Sequence, residues 1–260
     1  MAEAPAPVKG TRPEGAATEA DASSKVREMF AQIAPRYDLL NHLLSLELDR
    51  LWRARAAKLL RPVFLNPETR VLDLCCGTGD LAIALNGKYS AHVTGVDFAH
   101  SMLVRARKKS ARLHSKTLAQ LGPIRYIEAD ALRLPFADGT FDLVTSAFGF
   151  RNLANYEAGL REIRRVLKPG GTIAILEFAE PPAGRLGDLY RWYFCNVLPK
   201  IGGLISGDKA AYKYLPKSVA RFFRPPELAA LMSAVGLRSV DYRVWTFGTI
   251  ALHTAIRPNA

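Results

Sequence analysis

The sequence of 260 residues has only three cysteines and no long apolar run. Three cysteines are too few for a disulfide framework, and the neighbours Cys75 and Cys76 could pair only through a strained ring. We therefore expect a reducing, cytosolic setting. No stretch of about 18 apolar residues is present, and the N-terminus lacks the basic and then apolar layout of a secretory signal. We expect a chain that neither spans a membrane nor is exported.

Acidic residues are also scarce relative to basic ones. The chain has 36 Lys and Arg against 24 Asp and Glu, which gives a net charge of +12. This excess indicates an anionic partner, which could be nucleic acid, a phosphate-bearing ligand or an acidic lipid surface. Hydrophobic residues, in contrast, make up 49% of the sequence and are sufficient for a sizeable buried core.

Large apolar side chains are almost absent from residues 1–24, which are rich in Ala, Pro, Glu and Thr. Such a segment cannot offset the entropy of ordering, so we expect a disordered tail. Over residues 25–66 apolar residues recur at helical spacing, with an interruption at Pro35. This pattern predicts a helical lid of two or three segments. Tyr37 and Asn41 are candidates to cover the site, with helix capping and packing as their alternative.

After Pro67 short apolar runs alternate with amphipathic stretches. Strands are predicted at "RVLDLCC", "HVTGVDF", "IRYIEAD", "FDLVTSAF" and "TIAILEF". With helices between them, this order predicts a single α/β domain over residues 25–260, whose parallel sheet is covered on both faces. Two more β-rich runs, "RSVDYRVWTFG" and "IALHTAIRP", predict a terminal hairpin that turns near Gly248.

The stretch "VLDLCCGTGDLA" joins the first strand to its helix and is the first candidate site. In a doubly wound sheet, ligands bind outside the carboxyl ends of the strands, beside this turn. Gly77 and Gly79 lack the Cβ atoms that would keep a ligand away from the backbone. Asp97 ends the second strand, where a carboxylate can accept hydrogen bonds from two ribose hydroxyls. These residues fit either a dinucleotide or S-adenosylmethionine.

Three features favour S-adenosylmethionine. Asp73, inside the first strand, would set an uncompensated carboxylate beside a pyrophosphate, whereas it suits a cationic amino or sulfonium group. Its alternative role is to cap the following loop. Asp130, after the third strand, is placed to accept a hydrogen bond from an adenine amine beside an apolar wall. The terminal hairpin belongs to a seven-stranded methyltransferase sheet and not to the usual six-stranded dinucleotide fold.

Metal or redox chemistry is not expected at Cys75 and Cys76. No Cys or His cluster at zinc spacing follows them, and free cysteine packs readily as a small apolar side chain. The sulfonium methyl is already activated, so positioning in a dry pocket can supply most of the acceleration and no metal is required.

Four longer stretches carry a resemblance to a known family. They are "FAQIAPRYDLLNHLLSLELDRLWR", "VLDLCCGTGDLA", "FGFRNLANYEAGLREIRRVLKPGGTIAILEFAEP" and "YRWYFCNVLPKIGGLISGDKAAYKYLPKSVARF". Together they resemble the quinone C-methyltransferases of menaquinone and ubiquinone biosynthesis. The glycine loop is shared with many methyltransferases, whereas "FGFRN" and "YKYLPKSV" are more specific. The resemblance implies an α/β, Rossmann-like class I methyltransferase fold: a seven-stranded, mostly parallel sheet with a terminal antiparallel hairpin and an N-terminal helical lid.

The same resemblance implies cofactor contacts at Thr78, Asp97, Asp130 and Ala131. It also implies C-methylation of a reduced polyprenyl quinone precursor. Demethylmenaquinol is favoured, because cysteines in the first loop resemble the menaquinone branch. The equivalent ubiquinone-pathway methylation, an RNA or other small-molecule acceptor, and a catalytically silent binding protein remain alternatives. No nucleic-acid partner is expected, because the chain lacks an appended RNA module and an evident aromatic stacking platform.

The acceptor side is predicted at Arg151 and Asn152, with Tyr37 of the lid. Arg151 and Asn152 follow the fourth strand, so their side chains are expected to enter the acceptor cleft. Arg151 could instead pair with a surface carboxylate such as Glu157. A guanidinium stays protonated, so Arg151 is expected to stabilise a developing phenolate while water or a neighbouring group takes the proton.

Residues 181–224 form an insertion that is predicted to admit the lipid-tailed acceptor. From residue 185 onward it carries eight basic residues against two acidic ones, interleaved with aromatic and aliphatic residues. This mixture is typical of contact with anionic headgroups at the inner membrane face. Packing of the apolar residues on the sheet is the alternative. The sequence leaves the oligomeric state open, a homo-oligomer included.

Overall fold

The computed structural model describes residues 10–116, 122–181, 184–197 and 209–259. Within them, seven strands form one sheet. They are β1 (Arg70–Leu74), β2 (His92–Asp97), β3 (Arg125–Glu128), β4 (Phe141–Ala147), β5 (Leu167–Phe178), β6 (Arg238–Trp245) and β7 (Ile250–Ile256). The predicted strands and the terminal hairpin are therefore confirmed.

The strand order is β3-β2-β1-β4-β5-β7-β6. Strands β1 to β5 pair in parallel, and β7 runs antiparallel between β5 and β6. Strand order reverses between β1 and β4, so the carboxyl ends of β1, β2 and β4 surround a topological switch point. The expected Rossmann-like sheet is confirmed, and its ligand crevice lies above these three strand ends.

Helices cover the sheet and extend beyond its carboxyl edge. They are α1 (Glu19–Ile33), α2 (Tyr37–Leu44), α3 (Leu48–Leu59), α4 (Asp80–Tyr89), α5 (His100–Lys116), α6 (Tyr156–Val166), α7 (Arg185–Trp192), α8 (Lys209–Arg221) and α9 (Pro225–Ala234). Short 3-10 or π-helical turns follow α1, α3, β4, α7 and β6.

Alternate residues of the strands pack on opposite faces of the sheet. Along β1, Leu72 and Leu74 pack with Ile163 of α6, whereas Val71 packs with Leu85 of α4. Each of these side chains is buried. Helices therefore cover both faces, as the near-continuous apolar strand runs predict for a parallel sheet.

The prediction of a disordered tail over residues 1–24 is wrong for its second part. Helix α1 already begins at Glu19. Before it, the backbone N–H of Thr11 donates to the carbonyl of Leu153, 2.8 Å away. The composition argument counted large apolar side chains, whereas this stretch is held by hydrogen bonds and by small buried groups such as Ala22. The first nine residues lie outside the described part of the chain.

We expect Gly149→Ala to destabilise the fold. A Cβ at Gly149 would lie 2.4 Å from the Cβ of Cys75 and 3.1 Å from its carbonyl oxygen. The turn after β1 would have to shift, which should lower the free energy of unfolding by about 1–3 kcal/mol. Urea denaturation measures this loss. Gly122→Ala is the control, because nothing lies within 4 Å of a Cβ there. Equal losses in the two variants would contradict the close approach.

Candidate active site

The turn after β1 contains several residues with a left-handed backbone. The φ angles are 54° at Cys75, 54° at Gly77 and 83° at Gly79. A Cβ at Gly79 would lie 2.5 Å from the hydroxyl of Tyr126, so packing requires glycine there. Over Gly77 the nearest atom to such a Cβ is Cε1 of Tyr37 at 3.7 Å. The two glycines thus differ: Gly79 packs on the domain, and Gly77 leaves its backbone approachable from the lid side.

Asp97 is buried at the end of β2, directly beside this turn. Its carboxylate accepts hydrogen bonds from the backbone N–H groups of Gly77 and Ala99, both at 2.9 Å. Burial raises the pKa of Asp97 to about 6. It lines a small cavity together with Asp130 and Ala131, the two residues predicted on the adenine side. The structure therefore brings Gly77, Asp97, Asp130 and Ala131 together.

Asp73 does not line that cavity. Its carboxylate accepts hydrogen bonds from the hydroxyl of Thr145 and the backbone N–H of Ala82, both at 3.0 Å. Burial raises its pKa to about 7. The carboxylate holds the first turn of α4 against β1 and β4. The structure therefore favours the capping alternative over the predicted cofactor contact at Asp73.

Thr78 is buried and ties the glycine turn to the lid. Its hydroxyl donates to the carboxylate of Asp38 in α2 and accepts from Nζ of Lys109, 3.1 Å away. Lys109 also pairs with Asp38 and with Asp80, each at 2.6 Å. The Thr78 hydroxyl therefore bonds to protein groups, and a cofactor contact at this residue would come from its backbone.

A second ionic cluster joins α3 to the start of α4. Nη1 of Arg53 lies 2.6 Å from Asp49, and Nη2 lies 3.6 Å from Asp80. His42 lies 2.9 Å from Asp49. The ligand atoms of His42, Asp49 and Asp80 come within 4.8 Å of one another, a spacing that a metal ion could use. Arg53 already supplies positive charge to both carboxylates, so the cluster is an ionic lid contact.

The surroundings of the two loop cysteines show which charges act on the turn. Cys75 and Cys76 pack against opposite core clusters, as predicted for small apolar side chains. Burial raises the pKa of the Cys75 thiol well above its usual value, and the carboxylates of Asp97, Asp73, Asp130 and Glu177 raise it further. The field at this strand end is therefore negative. It suits the cationic sulfonium of S-adenosylmethionine and opposes a pyrophosphate.

A larger cavity of about 330 Å³ lies between the lid and the carboxyl ends of β4 and β5. This volume falls within the range of about 300–1,000 Å³ that is typical of small-molecule sites. The walls are mostly apolar and include Phe30, Ile33, Trp52, Phe148, Phe178 and Phe194. A few polar side chains also line it, among them Tyr37, Asn41, Asp49, Arg53 and Arg151.

Arg151 is buried in the wall of this apolar cavity. Its partner is Glu177 in β5, with Nη1 2.9 Å from Oε1, and not the predicted surface residue Glu157, which pairs with Arg161. Nη1 also donates to the carbonyl of Phe148. Within the part of the chain that the structure describes, no hydrogen bond uses Nη2 of Arg151, although the residue lines the cavity.

Asn152 and Tyr37 lie at the junction of the two regions. Asn152 lines the small cavities beside Asp97, and its Oδ1 accepts from the hydroxyl of Tyr214 at 3.0 Å. It therefore borders the Asp97 cavities, whereas Arg151 lines the apolar cavity. Tyr37 lines both the apolar cavity and one Asp97 cavity. Burial raises the pKa of its phenol, so the hydroxyl stays protonated at neutral pH.

Sequence reasoning missed Glu177, Lys109 and Arg53. Glu177 had a local signal, because it is a lone carboxylate inside the apolar run "TIAILEF". Such a group must find partners when buried. Lys109 and Arg53 lie on amphipathic helices where charged residues are common, so nothing nearby in sequence distinguished them.

Comparison with known proteins gives matches over most of the chain. A sequence profile of the ubiE/COQ5 methyltransferase family matches residues 18–257. A demethylmenaquinone methyltransferase of Thermus thermophilus is 52% identical over 88% of this chain and 100% of its own length. A ubiquinone/menaquinone biosynthesis C-methyltransferase UbiE of Geobacter sulfurreducens is 45% identical over 88% of this chain and 87% of its own.

A solved structure shares the fold. A Thermotoga maritima crystal structure, described as an S-adenosylmethionine-dependent methyltransferase and possible histamine N-methyltransferase, has a TM-score of 0.61 to this chain. It is 20% identical, and the match covers 88% of this chain and 98% of the other.

We expect the affinity for S-adenosylmethionine to fall as the pH drops through about 6. The ionised carboxylate of Asp97 can accept two charge-assisted hydrogen bonds from ribose, and protonation at its pKa of about 6 removes this capacity. Calorimetric titration at pH 7.5 and pH 5 measures the change. Asp97→Ala should lose about 2 kcal/mol or more at pH 7.5 and show no further loss at pH 5. An unchanged affinity in Asp97→Ala would remove this residue from the site.

Proposed function

Since the chain belongs to the ubiE/COQ5 methyltransferase family and is an S-adenosylmethionine-dependent methyltransferase, we propose that its acceptor is a reduced polyprenyl quinone precursor. The preferred reaction is C-methylation of demethylmenaquinol to menaquinol. The relatives named demethylmenaquinone methyltransferase support this substrate. The observation that carries the proposal is the apolar cavity of about 330 Å³ with Arg151 in its wall, joined to the glycine turn through Tyr37.

On the cofactor side, residues of this chain would hold S-adenosylmethionine in a fixed orientation. S-adenosylmethionine, when bound, provides a methyl group that its sulfonium already activates for transfer. Asp97 would hold the ribose hydroxyls, and Asp130 with Ala131 would border the adenine. The carboxylates around the turn would stabilise the positive charge. A cofactor contact of Thr78 would be made by its backbone, since its hydroxyl is bonded to Asp38 and Lys109.

On the acceptor side, residues of this chain would stabilise the charge of the phenolate and exclude water from the apolar cavity. An electron-rich ring carbon would be the nucleophile once a phenol of the hydroquinone gives up its proton to water or a neighbouring group. The bond from this carbon to the methyl group would form as the bond from sulfur to methyl breaks, and loss of the hydrogen on the same carbon as a proton to water would restore the aromatic ring. Arg151 would stabilise the phenolate, because a guanidinium in an apolar wall acts more strongly than in water. Tyr37, on α2, borders both regions and would hold the ring in line with the methyl group. No metal is part of the proposed mechanism.

The ubiquinone-pathway methylation is the second candidate. Relatives named UbiE are 41–45% identical to this chain, and their names cover both pathways. The relative from Thermus thermophilus, which is 52% identical to this chain, is named for demethylmenaquinone alone, and this supports demethylmenaquinol as the preferred acceptor.

A transient contact with an anionic membrane surface at its inner face is also part of the proposal, because a polyprenyl tail partitions into the bilayer. Within the described residues, no helix combines the length and apolar character needed to cross a bilayer.

In the predicted insertion, Phe194 and Phe222 are buried and Lys217 pairs with Glu14 at 3.2 Å. For these three residues, the contacts favour packing within the protein over contact with a membrane. Residues 198–208 of the insertion lie outside the described residues.

Methyl transfer from labelled S-adenosylmethionine tests the acceptor. We expect label in the product from reduced demethylmenaquinone, and a lower kcat/KM with a reduced demethoxy-type ubiquinone precursor. The oxidised quinone is the control and should not react, because its ring is electron-poor. Label in RNA with none in either quinol would contradict the proposal.

We expect Arg151→Met and Arg151→Lys to lower kcat by roughly 10²-fold while the affinity for S-adenosylmethionine changes little. The lysine variant keeps a positive charge opposite Glu177, so it preserves the fold where the methionine variant would leave a buried carboxylate unpaired. Steady-state kinetics and calorimetry measure the two quantities. A loss of cofactor affinity as large as the loss of kcat would assign Arg151 a structural role.

A further inference from the structure

Leucines of the lid project into solvent instead of the core. Leu39 and Leu43 of α2 are 61% and 47% exposed, and Leu46 in the following turn is 74% exposed. We call these three residues the leucine face. Single exposed apolar side chains are ordinary, whereas a group of them on one helical face marks an interaction surface.

The two helical members of the leucine face, Leu39 and Leu43, lie opposite the cavity side of α2. Tyr37, Asn41 and Ser45 recur every four residues and line the apolar cavity. At 3.6 residues per turn, Leu39 and Leu43 lie about 200° and 240° around the axis from Tyr37. Helix α2 is therefore apolar on its outer side as well, although that side has no protein neighbour among the described residues that would bury it.

The leucine face continues to the opening of the cavity. Leu46 lines the cavity and is also largely exposed, so it lies at the entrance. Thr246 and Thr249 line the same cavity, and between them Phe247 is 78% exposed. The hydroxyl of Thr246 accepts from the indole N–H of Trp52 at 2.8 Å, which fixes the β6–β7 turn against α3. Exposed apolar side chains thus border the entrance on both sides.

We propose that the leucine face and Phe247 insert into the acyl-chain region of a phospholipid bilayer, so that the acceptor passes from the bilayer into the cavity between them. This inference rests on the proposed function, because an acceptor with a polyprenyl tail needs an apolar path from the membrane to Arg151. A bilayer is the occupant that matches this path, since the tail can remain among acyl chains while the ring enters the cavity.

The charges beside the leucine face predict how this contact responds to salt. Arg50 and Glu47, next to Leu46, pair with each other at 3.0 Å and largely cancel. Insertion here is therefore driven by apolar burial, which salt weakens little. Contact through the basic residues of the predicted insertion would instead depend on anionic lipid and fall as salt rises. The two surfaces are distinguishable by experiment.

The test uses the full chain and two variants of the entrance, Leu39→Asp/Leu43→Asp and Phe247→Asp. Neither variant alters a residue that lines the cavity, and aspartate tolerates the left-handed backbone of Phe247. Leu65→Asp is the matched control. Leu65 is 80% exposed but precedes β1, at the opposite edge of the sheet.

Three quantities are compared with wild type. They are sedimentation with phosphatidylcholine vesicles, methylation of long-tailed demethylmenaquinol in those vesicles, and methylation of an analogue with one isoprene unit dissolved in buffer. Both entrance variants should lose at least about tenfold in the first two quantities, because each buried apolar side chain strengthens insertion. They should keep the rate on the soluble analogue, and Leu65→Asp should match wild type throughout.

The outcomes separate this inference from the proposed function. If wild type methylates neither acceptor, the proposed function fails whatever the vesicle binding. If wild type methylates both and the entrance variants still bind vesicles normally, the inference is wrong. On vesicles that also contain phosphatidylglycerol, a loss confined to Lys209→Glu/Lys213→Glu/Lys217→Glu would overturn it in favour of the basic insertion. A change of oligomeric state in the entrance variants without a change in vesicle binding would assign the leucine face to a second copy of this chain.

Discussion

The acceptor cavity depends on one buried ion pair, Arg151 with Glu177. Glu177 is 1% exposed, and such a carboxylate is tolerated only when its lone pairs are used. Besides Nη1 of Arg151, it accepts from the backbone N–H groups of Arg151 and Phe178, at 3.2 and 2.9 Å. The guanidinium also donates to the carbonyl of Phe148 and, at 3.4 Å, to Ser218 of α8. The pair therefore ties the segment after β4 to the end of β5, and the cavity lies between these strand ends and the lid.

Helix α2 couples this cavity to the cofactor side. Tyr37 lines the cavity, and its neighbour Asp38 binds Thr78 and Lys109 at the glycine turn. The two small cavities beside Asp97 have about 30 Å³ each, which is room for a water molecule or two. Ser23 of α1 lines one of these two cavities, and Phe30 and Tyr37 line the other and also the apolar cavity. The N-terminal helices are therefore a shared wall of the two regions.

The sequence predicted the elements that depend on local patterning, and it left the contacts of a residue open where its partners are distant. The strands and the turn at Gly77 follow from apolar alternation and glycine placement, and Asp97 follows from the rule for strand ends. The role of Asp73 depends on Thr145, its neighbour in the register of β1 and β4 but 72 residues away. No local pattern contains that pairing. The same holds for the segment before α1, where the backbone N–H of Thr11 donates to the carbonyl of Leu153.

The distribution of charge explains how one cleft can suit two ligands of opposite sign. The chain carries a net charge of +12, yet the glycine turn is surrounded by carboxylates, and Lys109 there is paired with Asp38 and Asp80. The anionic partner that the net charge indicates is therefore not the cofactor. On the other side of Tyr37, Arg151 faces an apolar cavity. The sulfonium would therefore face carboxylates, whereas the phenolate would accept hydrogen bonds from a guanidinium whose charge Glu177 partly balances.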